Sequence, residues 1–145
     1  MSYDLIAFDP ALAPRDRHDF LDWISRAFRS MDGPLGSDPA RLSIELQGWH
    51  AELRQVFPSA GDPHAFAADT DGGSKNAAYR FAQHAVQASF EWSNAGPAMF
   101  RARKIAQAHR VGLFEASGAD CNVWMVSNRG RFEIVHSASE HRARV

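Results

Sequence analysis

The chain has 145 residues, of which 45% are hydrophobic and 11% aromatic, and its formal net charge is −1. This composition excludes a disordered chain, and the length fits one domain with a core of its own. No apolar run approaches the roughly 20 residues that a membrane-spanning helix needs.

The N-terminus and the cysteine content bear on cellular location. Residues 1–10 show no basic stretch followed by an apolar core, the pattern of a secretory signal. Cys121 is the single cysteine, so no internal disulfide can form. These features together predict a reducing, cytoplasmic setting.

The charges are distributed unevenly along the chain. Residues 1–72 hold 12 acidic and 6 basic side chains, whereas residues 73–145 hold 5 acidic and 10 basic ones. One interpretation is ordinary solvated surface. The other is a dipolar molecule with one face suited to a charged partner.

The first elements in chain order are a strand and a helix. Tyr3–Phe8 is a short β-prone run that ends at Asp9-Pro10, because proline cannot donate to a strand ladder. Pro14 suits the first position of a helix. An apolar stripe at three- and four-residue spacings predicts that helix, and it consists of Phe20, Leu21, Ile24, Ala27 and Phe28.

The second helix has the strongest helical pattern in the chain. We expect it to begin at Asp38-Pro39, a cap followed by proline, and to end before Pro58. Its apolar stripe is formed by Leu42, Leu46, Trp49, Leu53, Val56 and Phe57. The following Ser59–Asn76 segment is rich in Gly, Pro and Asp, and loops of this length tend to be functional or mobile.

A strand, a helix and a second strand are expected between Ala85 and Ser117. Apolar and polar residues alternate from Ala85 to Trp92, which indicates a half-buried strand. Ser93 or Asn94 is expected to cap a helix running to about Arg110. Gly112 is expected as the left-handed C-terminal cap, before a strand at Leu113–Ala116.

Three further strands complete the expected fold. Ala77–Gln83 precedes the strand at Ala85, and Asn122–Val126 and Arg131–His136 are joined by a hairpin turn at 128–130. The order β-α-α-β-β-α-β-β-β predicts an α+β fold. We expect a two-layer sandwich, with a mainly antiparallel sheet and the helices packed on one face. Residues 1–136 are predicted to form this domain and 137–145 a flexible tail.

Metal sites are not predicted. His18 and Asp22 lie four residues apart on one helix, but a metal needs three or four ligands and no partner pair is evident. Asp69–Gly73 resembles the start of a calcium loop, yet its twelfth position is Arg80 where an EF-hand has glutamate. We therefore expect no metal and no cofactor.

Catalytic patterns are weak as well. Cys121 is interpreted as a small packed residue and not as a nucleophile. Ser117-Gly118 lacks the flanking glycine of a nucleophile elbow, and no phosphate-binding glycine motif is present. A protein that is not an enzyme is the favoured interpretation.

Two charged groups are candidates for partner binding. The third helix carries four cations, Arg101, Arg103, Lys104 and Arg110. They could form ordinary solvated surface, bind an anionic protein partner, or bind nucleic acid. No aromatic platform or nucleic-acid motif accompanies them. The acidic group lies in the long loop and consists of Asp62, Asp69 and Asp71.

The four tryptophans lie on or near apolar stripes, so core packing is expected for most of them. An exposed one would be a good interface anchor. They are Trp23, Trp49, Trp92 and Trp124.

Several segments resemble a known group of sequences. They are the opening Met1–Leu5, Ala13–Arg17 with Phe20 and Trp23, Trp49, Phe57-Pro58, Phe90–Ser93 and His109–Ser117. The chain resembles small uncharacterised bacterial cytosolic proteins that open with an MSYDL-like strand and look like immunity proteins of polymorphic or type VI secreted toxins. It departs from that pattern at Ile24-Ser25 and at 59–63, the latter in the loop expected to vary with the partner.

The resemblance implies a non-enzymatic protein that binds a cognate toxin, encoded next door, and occludes its active site. Asp62, Asp69 and Asp71 would then steer association with a basic cleft, and Arg101 and Lys104 are the next candidate contacts. Two alternatives remain open. One is a small enzyme with a pocket between sheet and helices, and the other is a dimeric regulatory module.

Overall fold

The structure, a computed structural model, describes residues 3–29, 42–59, 76–117, 121–127 and 130–136. These residues form three α-helices and six β-strands in the predicted order. The elements are β1 Tyr3–Phe8, α1 Arg17–Arg29, α2 Ile44–Val56, β2 Ala78–Phe81, β3 Ala85–Phe90, α3 Ala95–His109, β4 Gly112–Glu115, β5 Val123–Val126 and β6 Phe132–His136. None of the described helices is both long enough and apolar enough to cross a membrane.

The strands form one sheet in the order β2-β3-β1-β4-β5-β6, and every neighbouring pair is antiparallel. The first strand of the chain is therefore central, with β3 on one side and β4 on the other. Both neighbours run opposite to β1, so they run parallel to each other, and α3 makes the crossover between them. The predicted α+β fold with a mainly antiparallel sheet is confirmed.

The helices cover both faces of this sheet, which differs from the expected packing on one face. Alternate residues of β1 point to opposite faces. Leu5 and Ala7 belong to one core cluster with α2 and α3, whereas Ile6 and Phe8 belong to a second cluster with α1. The reason is that β1 is apolar on both sides, so each side needs a helical cover.

The first helix begins three residues later than predicted. Pro14 precedes it, and the cap is Asp16, whose side-chain carboxylate accepts a hydrogen bond from the Asp19 N–H at 3.0 Å. The helix then packs through Phe20 and Ile24, both buried. An aspartate with free amides ahead of it is a stronger helix start than a proline alone.

The second helix begins at Ile44, where the Ser43 hydroxyl accepts a hydrogen bond from the Leu46 N–H at 3.2 Å. The predicted start at Asp38-Pro39 lies outside the described residues. Within the helix Leu46, Trp49 and Leu53 are buried as predicted. The indole N–H of Trp49 donates to the Ala102 carbonyl at 3.1 Å and so joins α2 to α3.

Both ends of α3 differ from the sequence prediction. One 3₁₀ turn, Trp92–Asn94, precedes it, and the side chain of Asn94 makes no capping hydrogen bond. At the other end the left-handed residue is Arg110, with φ 59°, and not Gly112. Gly112 already lies in β4, where a β-carbon would collide with the Phe8 ring. The glycine is thus required for close packing and not for a turn.

Candidate partner-binding surface

The crossover helix α3 is buried on one side and cationic on the other. Its buried residues are Ala98, Ala102, Ile105 and Ala106. Arg101 and Lys104 are exposed and Arg103 is half-buried. The helix contains no carboxylate of its own, so nothing within it neutralises these cations.

An aromatic and cationic stack connects α3 to the last two strands. The guanidinium of Arg103 lies over the Trp124 ring, 5.1 Å from its centroid. Trp124 in turn stacks on Phe132 of β6, with ring centroids 6.0 Å apart and planes 17° apart. The indole N–H of Trp124 donates to Glu115 Oε1 at 2.8 Å. The indole therefore contacts Arg103 and Phe132 and is hydrogen-bonded at its nitrogen, which limits its rotation.

Apolar side chains continue from this stack toward solvent. Val126 pairs with Phe132, and Trp124 pairs with Ile134, so all four side chains share the sheet face on which α3 lies. Val126 is 36% exposed and Ile134 40%. The face of the β5–β6 hairpin thus extends beyond the cover that α3 provides.

Phe100 adds a second aromatic group on the solvent side of α3. It is 49% exposed, and the Lys104 ammonium lies 4.7 Å from its ring centroid. Helical spacing makes Phe100 a neighbour of both Arg103 and Lys104 on the surface of α3, and Arg103 reaches β5 at Trp124. We call the set formed by Phe100, Arg103, Lys104, Trp124, Val126, Phe132 and Ile134 the α3–β6 surface.

The charge on the α3–β6 surface is positive. Among the described residues, neither Arg103 nor Lys104 forms an ion pair. Glu115 is the nearby carboxylate, and it already accepts the Trp124 N–H. Glu133 is exposed on β6, but it points to the face of the sheet opposite that of Phe132 and Ile134, because side chains alternate along a strand. The arrangement can therefore accept negative charge beside an apolar contact.

Only two of the five predicted site residues lie in the part of the chain that the structure describes. Arg101 and Lys104 are exposed on α3. Asp62, Asp69 and Asp71 lie outside the described residues, so their role stays a prediction. Sequence reasoning overlooked the contribution of the hairpin, although apolar residues on both faces of β5 were a usable signal.

One tryptophan is exposed, as an interface anchor would be. Trp92 is 49% exposed at the start of the turn before α3. Its ring lies edge-on to Tyr3, with centroids 5.3 Å apart. It lies at the N-terminal end of α3, whereas Val126 and Phe132 lie toward the other end of the sheet.

An open cavity of about 570 Å³ lies between the turn after β1, the start of α2 and the end of α3. Most of its polar side chains already serve local structure. Asp9 accepts the Ala11 N–H at 3.0 Å, Ser43 caps α2, and His109 Nε2 contacts Glu52 Oε1 at 2.8 Å. A second open cavity of about 550 Å³ is lined by Arg15 and by Met125, Val126 and Val135 of the hairpin, so Val126 also borders this cavity. We assign no chemistry to either.

Potential metal ligands do not converge within the described residues, where no group of three or more His, Cys, Asp or Glu side chains meets. His18 is exposed, and Asp22 instead pairs with Arg26 at 2.5 Å. The Cys121 thiol faces the Ala116 carbonyl at 3.8 Å and is half-buried.

His50 packs against two aromatic rings and has a buried ring nitrogen. Its ring lies edge-on to Tyr79 and Phe81, at centroid distances of 4.8 and 4.9 Å. Its Nε2 is buried and makes no hydrogen bond to a described residue. Burial, and then the positive charge of Arg54, lower the pKa of His50 below its usual value. The neutral ring is therefore a packing element between α2 and β2.

Comparison of the chain with protein-family models, curated proteins and solved structures finds no match.

Proposed function

We propose that this chain is a non-enzymatic immunity protein, which binds a cognate secreted bacterial toxin in the cytoplasm and blocks its active site by steric occlusion. The proposal rests on the resemblance of the segments around Met1–Leu5, Trp49 and His109–Ser117 to such proteins. A binding protein of this kind requires an exposed surface whose charge and apolar area remain available to a partner.

The observation that carries the proposal is the α3–β6 surface. It combines cations without ion-pair partners among the described residues and partly exposed aromatic and aliphatic side chains around a fixed indole. Interfaces are enriched in tryptophan, tyrosine and arginine hot spots surrounded by less critical contacts. Arg103 and Trp124 match that description.

The test is co-expression with the product of the adjacent reading frame. If the proposal is right, that product inhibits growth alone, growth recovers when this chain is present, and the two proteins co-purify. A standard interface would bury about 1,600 Å² in total. Growth inhibition that this chain does not relieve would refute the immunity role, whatever else the chain binds.

Two sets of substitutions locate the interface within that experiment. Asp62, Asp69 and Asp71, changed together to Ser, test the acidic loop, and Lys104→Glu tests the α3–β6 surface. The loop variant should slow association and reduce its salt dependence if the acidic residues steer binding. Unchanged association by the loop variant places the interface elsewhere.

A further inference from the structure

We propose that the α3–β6 surface recognises an acidic segment of a partner protein, with carboxylates at Arg103 and Lys104 and an apolar side chain against Val126 and Ile134. The inference depends on the proposed function in one respect: it takes the partner to be a protein. It adds the place of contact and the chemistry of the segment that is bound.

The indole of Trp124 gives this surface a preformed centre. It packs against Arg103 and Phe132 and is hydrogen-bonded to Glu115. A side chain already held in one rotamer loses little entropy when a partner packs against it. A partner's apolar group placed beside Phe132 would also remove Val126 and Ile134 from water.

Charge complementarity defines the sign of the partner. Lys104 lies over the exposed Phe100 ring, and Arg103 lies over Trp124. Both cations are thus held above aromatic faces by attractions that leave their N–H donors available for carboxylates. Glu115 is one carboxylate beside these two cations, so the three side chains together keep a net positive charge.

The hairpin part of this surface fits a protein segment better than nucleic acid. Val126 and Ile134 are aliphatic, and such side chains pack well against apolar side chains but offer neither stacking faces nor hydrogen bonds to bases. The net charge of the chain is −1, which gives little long-range attraction for a polyanionic backbone.

The probe is a short synthetic peptide rich in Asp, Glu, Leu and Phe. The comparison peptide has Asn and Gln in place of the acids, and an oligothymidylate serves as the nucleic-acid probe. Binding is followed by NMR of the full chain and by titration at two salt concentrations. We expect the acidic peptide to perturb Phe100, Lys104, Trp124 and Ile134, and to bind more weakly at higher salt.

Three variants test the site. Lys104→Glu and Ile134→Ser should each weaken binding of the acidic peptide about tenfold. Arg80→Glu is the charge-matched control, because Arg80 is exposed on β2 at the opposite edge of the sheet. Circular dichroism verifies that all three remain folded, and Arg80→Glu should bind as the unmodified chain does.

The outcomes separate this inference from the proposed function. No peptide binding, binding unaffected by Lys104→Glu and Ile134→Ser, or tighter binding of the oligothymidylate would each overturn the inference. Self-association through Ile134, detected by sedimentation, would overturn it in favour of a second copy of the chain. Toxin binding that is unaffected by Lys104→Glu and Ile134→Ser would keep the immunity role and refute this surface. Peptide binding without neutralisation of any toxin would keep this surface and refute the immunity role.

Discussion

The imidazole of His109 on α3 lies directly over Gly48 on α2. A β-carbon at Gly48 would come within 2.6 Å of both Cε1 and Nδ1 of that ring. The close approach lets His109 Nε2 reach Glu52 Oε1 at 2.8 Å. The two helices can pack this closely at this point because Gly48 has no side chain.

The first prediction compares two identical substitutions. Gly48→Ala should lower the free energy of unfolding by about 1 kcal/mol, because displacement of the ring outweighs the gain in helix propensity. Gly96→Ala, which meets nothing within 4 Å, should be neutral or slightly stabilising. Urea unfolding measures both. Equal effects at the two positions would contradict the packing of His109 on Gly48.

The second helix shows which features the sequence predicts and which it does not. The apolar spacing of α2 was sufficient to identify Leu46, Trp49 and Leu53 as buried, because a helix must turn one stripe inward. The function of Gly48 depends on which residue of a distant helix lies above it, and no local pattern carries that information. Gly112 was misread for the same reason, since Phe8 lies more than a hundred residues earlier.

The candidate surface was predictable only in part. The basic helix is visible in the sequence as a run of arginines and a lysine, which is why the sequence predicts Arg101 and Lys104 as contact residues. The hairpin contribution depends on strand order, because Trp124 meets Arg103 only when β5 lies beside β4. Helices cover both faces of the sheet because β1 is apolar on both sides. Ile6 and Phe8 make this visible in the sequence, but the expected two-layer packing did not take them into account.

The second prediction concerns Trp49. This side chain is fully buried and hydrogen-bonded to Ala102, so Trp49→Ala should cost about 3–5 kcal/mol. Trp92→Ala is the control, because that ring is half exposed and its loss should cost about 1 kcal/mol or less. Chemical denaturation followed by circular dichroism measures the difference. Similar midpoints for the two variants would refute the assignment of Trp49 to the core.

The third prediction is a pH dependence caused by His50. Its pKa is lowered in the folded protein, so below about pH 6.5 the unfolded chain binds a proton that the folded protein does not. The free energy of unfolding should therefore fall as the pH falls through this range. His50→Phe should reduce that slope, whereas the control His18→Phe changes an exposed ring on α1. A slope that responds to the control instead of His50→Phe would contradict the prediction.

The fourth prediction concerns alkaline pH and the two tyrosines of the chain. Burial, and then the charge of Glu115, raise the pKa of Tyr3 to about 12, and burial raises the pKa of Tyr79. Because both values are raised, their contribution to stability is complete below about pH 10 and is lost as the pH rises beyond it.

Tyrosinate absorbance, recorded with and without denaturant, checks this. The folded protein should titrate at higher pH than the unfolded chain. Glu115→Gln should move part of the native titration to lower pH, because one cause of the Tyr3 shift is removed. Coincident titration curves for the folded and unfolded protein would show that neither phenol is protected.

The central position of β1 has a consequence for synthesis. β1 leaves the ribosome before its partners at Ala85–Phe90 and Gly112–Glu115, so it cannot form its native pairs until those later segments have been translated. Contacts of such long sequence separation slow folding. Until then the apolar residues of β1 and α1 wait without their native neighbours, exposed to chaperones and proteases. A ribosome stalled before Glu115 would carry a chain that has already made its central strand but cannot yet complete its sheet.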